Sequence, residues 1–171
     1  MDFETVIRAR QATRKYDGNK VDRENLSKIL EAGRLAPTAK NLQPIKIYVV
    51  ESDEGLEKID KASPCRYGTG TVLLICGDKD VAYTKGDYST YEMDASIVTT
   101  HMMLEATNLG IDNIWVEMFD EKVLCSEFNL SSNLVPVVLL PLGYKTDDCP
   151  ASPNHNKRKD LDEIVEYIWN N

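Results

Sequence analysis

The chain has 171 residues, 42% hydrophobic and 28% charged, with a formal net charge of −8. That is enough apolar chain for a single domain over residues 1–171 with one core, and the acidic balance opposes non-specific attraction to nucleic-acid phosphates. No apolar run approaches the ~20 residues that span a bilayer, so neither nucleic acid nor membrane is an expected partner.

In chain order, Phe3, Val6 and Ile7 share a helical face, with Asp2 placed to cap it. Arg10 and Arg14 follow, four residues apart; if the chain between them is helical they sit on one face and can converge on one anion. Asp22 caps a second helix, with Val21 and Leu26 as its staple and Leu26, Ile29, Leu30 and Gly33 as its stripe, ending near Pro37. The loop that follows, from Ala36 to Pro44, brings the polar groups of Thr38, Asn41 and Gln43 between two prolines. Residues 45–51 read as a strand, 53–61 as a short helix and 71–76 as a buried strand carrying Cys76. The longest element runs from about Tyr91 to Leu109, apolar nearly all round, with Met102 and Met103 as packing residues and Gly110 as its stop. Residues 111–116 read as a strand. Asp120 caps a helix to about Phe128, with Phe119 and Leu124 as its staple. Residues 134–144 form an apolar strand in which Pro136 and Pro141 require an edge or a bulge. Leu161, Ile164, Val165 and Ile168 have the spacing of a closing helix.

The four cysteines lack zinc or redox-pair spacing and read as reduced thiols, and the two histidines have no second metal-type ligand nearby, so no metal is expected. Met1-Asp2-Phe3-Glu4 lacks the basic start and apolar stretch of a secretory leader, which makes the cytoplasm the expected location.

Two stretches carry a family likeness: Arg10-Gln11-Ala12-Thr13-Arg14-Lys15-Tyr16, and Ala36-Pro37-Thr38-Ala39-Lys40-Asn41-Leu42-Gln43-Pro44. They resemble the nitroreductase family of FMN flavoproteins, whose wording is Arg-x-Ser-x-Arg plus an aromatic, then Ala-Pro-Ser-x-x-Asn-x-Gln-Pro. Periodicity alone suggests an α/β sandwich. The resemblance implies instead an α+β three-layer sandwich: a mixed β-sheet flanked by helices, with a long central helix at a dimer interface.

The resemblance places Arg10, Gln11, Ala12 and Arg14 at the FMN phosphate and the pyrimidine side of the flavin, with Ala12 where serine is usual. It assigns Pro37, Thr38, Ala39 and Asn41 to a loop reaching FMN from the partner subunit of a homodimer. The segment from Trp115 through Glu117 and Met118 resembles the one whose backbone N–H approaches flavin N5, with Met118 where many members have glycine. Arg158, then Lys157, match a basic clasp on the phosphate, with Asn156 where lysine is frequent. Tyr83, Tyr88 and Tyr91 fall in the region that covers the substrate face in relatives. The implied activity passes hydride from NADH or NADPH through flavin N5 to a nitroaromatic, quinone or similar small acceptor. The cofactor carries the redox chemistry, so no catalytic side chain is named. A flavin carrier with little turnover, or a dehydrogenation or reductive dehalogenation on the same fold, are the alternatives.

Overall fold

The computed structural model describes residues 1–169. Helix α1 is Phe3–Ala9 and α2 is Arg23–Arg34. Strand β1 is Ile45–Val50, α3 is Asp53–Ala62 and β2 is Thr71–Asp78. A small hairpin of β3 (Thr84–Lys85) and β4 (Tyr88–Ser89) leads into α4, Tyr91–Asn108. Strand β5 is Asp112–Asn113, α5 is Glu121–Glu127 and β6 is Leu134–Gly143.

The capping residues read from the sequence do what their chemistry predicts. Asp2, Asp22 and Asp120 each accept a backbone N–H three residues on, at 2.9, 2.9 and 3.1 Å. Gly110 ends α4 with φ +76°, a conformation only glycine adopts at no steric cost.

Strands run in the order β1-β2-β6-β5, with every ladder antiparallel; a parallel bridge joins Ala12 to Asn113 at the β5 edge. Alternate residues of β2 feed two cores. Leu73 and Ile75 pack with Leu26, Ile29, Val98 and Met102 of α2 and α4, while Val72, Leu74 and Cys76 pack with Leu56, Ile59 and Leu124 of α3 and α5. The result is the expected three-layer α+β sandwich. Helices α2 and α4 approach so closely that a Cβ on Gly33 would stand 2.7 Å from Met102 Cγ. Pro136 sits opposite Cys76 where the β2–β6 register shifts, so its missing N–H falls at a bulge, as read from the sequence.

Three readings are corrected. The strand expected over 111–116 forms a ladder only at Asp112–Asn113; beyond it the chain is tied to β6 by Ile114 N to Pro141 O, 3.3 Å, and by the Val116–Leu139 bridge. Pro141 has no N–H to complete a regular pairing there. Helix α1 stops at Ala9, and residues 10–16 run extended because Thr13 N donates to Asn113 O at 3.1 Å; Arg10 and Arg14 therefore do not share a helical face. The closing helix is absent: Leu161–Glu163 makes one 3₁₀ turn, and Leu161, Ile164 and Ile168 are 66%, 65% and 81% exposed. An amphipathic helix is stabilised by packing its apolar face, and these residues find no surface in their own chain. Among the described residues no helix is long and apolar enough to cross a membrane.

Candidate functional site

The residues singled out in the sequence gather at two opposite corners of the sheet. The first lies along the β5 edge. Asn113, 1% exposed, donates its amide to Met103 O at 3.2 Å, Thr107 Oγ1 at 3.0 Å and Ile111 O at 3.3 Å. Its backbone, held in this way, fixes Ala12 and Thr13 across the parallel bridge. Thr13 Oγ1 also donates to Asp112 Oδ1 at 3.3 Å.

Arg10 follows directly from the end of α1 and is half-buried beside Arg158. Burial first, then the like charge of Arg158, push its pKa below the usual guanidinium value. Among the described residues neither arginine pairs with a carboxylate, although every ion pair the fold makes elsewhere joins a cation to an acid. Arg158 instead donates to the backbone oxygens of His155 and Lys157, at 2.8 and 2.7 Å. Together with Ala12, Ser152, Asn154 and His155 the two arginines line a cavity of about 160 Å³. Two cations without a carboxylate partner, held together against their own repulsion beside a hydroxyl and an amide, have the chemistry that suits a compact dianion.

Gln11 lines an adjoining cavity of about 260 Å³ with Arg10, Asn113 and Lys145. Arg14 is exposed and turned toward Tyr67, and Lys157 lies outside the lining of the smaller cavity. Ser152, Asn154 and His155 were missed in the sequence because nothing in their spacing marks them. Their places are set by the turns His155 N to Ser152 O and Lys157 N to Asn154 O, at 2.9 and 3.1 Å.

Further along the same edge, Val116 exchanges both backbone bonds with Leu139 at 3.0 Å, and the chain then turns through Glu117 and Met118. Trp115 Nε1 donates to Glu117 Oε1 at 2.7 Å, so that carboxylate is engaged sideways. Met118 is 63% exposed and is not among the residues with positive φ, so a side chain is accommodated there without strain. Among the described residues the N–H groups of Glu117 and Met118 meet no acceptor. Ala12 and Met118 thus stand at two ends of one edge, the cavity lined by Arg10 and Arg158 at one and, among the described residues, backbone donors without acceptors at the other.

The second corner is the loop before β1. Lys40, Asn41 and Gln43 have φ of 52°, 56° and 52°, where only asparagine is at home. Asp94, 1% exposed near the start of α4, accepts from Ala39 N and from Thr90 Oγ1, both at 2.8 Å. Thr38 Oγ1 accepts from Gln43 N at 2.9 Å, and Lys40 Nζ lies 4.3 Å over the Tyr83 ring. Pro37 and Asn41 are exposed. Tyr91 packs against Gly77, as a structural residue would.

The two corners do not meet within one chain. The loop adjoins the Ile45–Gly77–Val135 end of the sheet, whereas Ala12 and Asn113 adjoin Leu142. That is three strand spacings across, about 14 Å, and about 23 Å along β6.

Residues 7–67 and 66–144 match the model of the nitroreductase family. A nitroreductase family protein of known structure from Clostridium difficile is 38% identical, covers 98% of each chain and superposes with a TM-score of 0.91. A protein of Methanothermobacter thermautotrophicus, provisionally named NADH dehydrogenase/NAD(P)H nitroreductase, is 28% identical across 99% of this chain and 88% of its own. A protein of Exiguobacterium sibiricum solved in complex with FMN is 21% identical, covers 98% of each chain and shares the fold with a TM-score of 0.85.

Proposed function

The chain belongs to the nitroreductase family, and from that premise we propose that it is an FMN-dependent NAD(P)H oxidoreductase acting as a homodimer with two shared sites. The observation that carries this reading is the pair of carboxylate-free guanidinium groups, Arg10 and Arg158, closing on one small cavity. A flavin mononucleotide ends in such a dianion, and an unpaired arginine pair without an anion would only cost free energy.

The residues present fit that cofactor. Arg10 and Arg158 would take the phosphate, with Ser152 and Asn154 as neutral donors beside it. Gln11 and the backbone at Ala12 would meet the pyrimidine side, and the free N–H groups at Glu117 and Met118 would face N5. When bound, the flavin supplies reversible hydride transfer between a nicotinamide and an acceptor such as a quinone or nitroaromatic. The chain orients the ring, shields it from water and offers fixed donors where charge changes. Thr38 and Asn41 of the partner subunit would complete the ring's surroundings, because a chain cannot bring its own loop to its own Arg10.

Two further features support assembly. The α4 face bearing Met93, Ile97, Thr100 and His101 lines an open cleft, and the apolar tail from Leu161 to Trp169 covers nothing in its own chain. The four cysteines are free thiols, in keeping with the cytoplasm. The test is direct: the purified protein should be yellow and should oxidise NADH or NADPH with a quinone or nitroaromatic acceptor. A flavin-loaded protein without turnover would make it a carrier instead, and a colourless one that ignores added FMN would end the flavin reading.

A further inference from the structure

The turn that presents the Met118 N–H is fastened from behind by an unbroken run of hydrogen bonds that starts on a different element. Cys65 N donates to Ser63 Oγ at 3.1 Å, and Ser63 Oγ donates to Met118 O at 2.6 Å. The peptide that carries the Met118 oxygen also carries the Phe119 N–H, which donates to Glu117 O at 3.0 Å. The peptide that carries the Glu117 oxygen carries in turn the Met118 N–H, and there the run ends on a donor with no acceptor. Each acceptance of a hydrogen bond by a peptide oxygen withdraws electrons from its own N–H, so linked peptides strengthen one another's donors, by ~10–30% per bond.

Ser63 occupies the right place to start such a relay. It follows α3 directly, is 1% exposed, and its own N–H is held by Ile59 O at 2.9 Å. Its hydroxyl donates its one proton and accepts one bond. The neighbouring bond from Asp120 N to Ala62 O, 2.9 Å, fixes the far side of the turn to the same helix end. The Met118 side chain, by contrast, is exposed and holds nothing in place. The turn is built to aim a backbone donor.

We propose that Ser63 is a positioning residue that, through the Met118 and Glu117 peptides, aims and strengthens the Met118 N–H toward flavin N5 and so sets the reduction potential of the bound cofactor. This rests on the FMN reading above. Oxidised N5 offers an in-plane lone pair that accepts the N–H, and reduction places a hydrogen on that atom. A strong donor therefore favours the oxidised form and lowers the potential, and weakening it raises the potential.

The test uses the flavin-loaded protein with Ser63→Ala, Ser63→Cys and, as control, Ser52→Ala. Ser52 Oγ accepts from Gly55 N at 3.1 Å at the other end of α3, so its loss destabilises the same helix away from the turn. Affinities for oxidised and reduced FMN are measured anaerobically, alongside the midpoint potential. In Ser63→Ala the ratio of the two affinities should shift three- to tenfold toward reduced FMN, a rise of about 15 to 30 mV for a two-electron couple. Ser63→Cys, whose thiol is a weak donor, should fall between, and it carries the test if the alanine variant does not fold. Ser52→Ala should keep the wild-type potential. Flavin-loaded Ser63 variants at the wild-type potential, or an equal shift in Ser52→Ala, would overturn this proposal alone. A wild-type protein that binds no FMN would overturn the functional reading and this proposal with it.

Discussion

At the β5 edge, residues 12–13 are held by backbone pairing with Asn113, Ile114 and Val116 by backbone hydrogen bonds to β6, and Met118 by the Ser63 hydroxyl at the end of α3, in conformations any residue can adopt. At the β1 edge, residues 38–43 make short-range bonds within the loop, Asn41 N to Thr38 O and Gln43 N to Thr38 Oγ1 among them; one buried carboxylate and one lysine–tyrosine contact tie them to the rest of the chain, and three of their backbones are left-handed. For lysine and glutamine that conformation costs about 1–2 kcal/mol each, and it persists only where the surroundings over-determine it. In the proposed dimer, the difference would let one short chain build two halves of a site under separate control. The first half is part of the sheet and is set once the sheet forms. The second is an outward-facing loop whose shape depends on Asp94 and on bonds within the loop itself.

The comparison breaks most sharply at the arginines. Arg10→Ala and Arg158→Ala should each cost FMN binding tenfold or more, from the loss of a charge-assisted phosphate contact of ~1.5–3 kcal/mol. Lys20→Ala, exposed and outside the lining of the cavity, should change it little. Calorimetric titration of the apoprotein checks all three.

A smaller loss is expected from the loop. Asp94→Ala strips the Ala39 N–H of its acceptor and should weaken FMN binding by about tenfold while lowering the melting temperature, since an orphaned, part-buried donor costs ~1–3 kcal/mol. Asp94→Asn keeps an acceptor oxygen and should recover part of both. If Asp94→Ala destabilised the fold yet held FMN normally, the loop would have no share in the site.

The smallest effect has the opposite sign. Ala12 lines the anion cavity, so Ala12→Ser adds a hydroxyl where the family pattern has one. FMN affinity should rise by up to about tenfold, the value of one neutral hydrogen bond of ~0.5–1.5 kcal/mol. Unchanged or weaker binding would mean the Ala12 side chain is turned away from the ligand.

The two halves were also unequally legible in the sequence. Helices α2, α3 and α4 were readable because caps and apolar stripes are local signals; Asp22 and Gly110 mark their ends by chemistry alone. The two-residue strands β3 and β4 are too short to show alternation, and the extended run from Arg10 to Tyr16 depends on Asn113, about a hundred residues away. Helical spacing in the tail misled because spacing describes a face without supplying what the face packs against. In the site, the family wording picked out Arg10, Ala12, Thr38, Asn41 and Arg158. Asp94 and Ser63 carry no motif, since their roles come from where α4 begins and α3 ends.

The central claim is that one site is made by two chains, and complementation tests it most directly. One chain carries Arg10→Ala and Arg158→Ala, the other Thr38→Ala and Asn41→Ala, and the two are co-expressed and purified together as well as apart. A mixed dimer then holds one site with both halves intact and one with both broken. Each variant alone should be a dimer nearly free of FMN, and the co-expressed protein should recover about a quarter of the wild-type flavin content, the share set by random pairing in a twofold dimer. Flavin content no higher than in either variant alone, or a monomer that keeps stoichiometric FMN, would contradict the account.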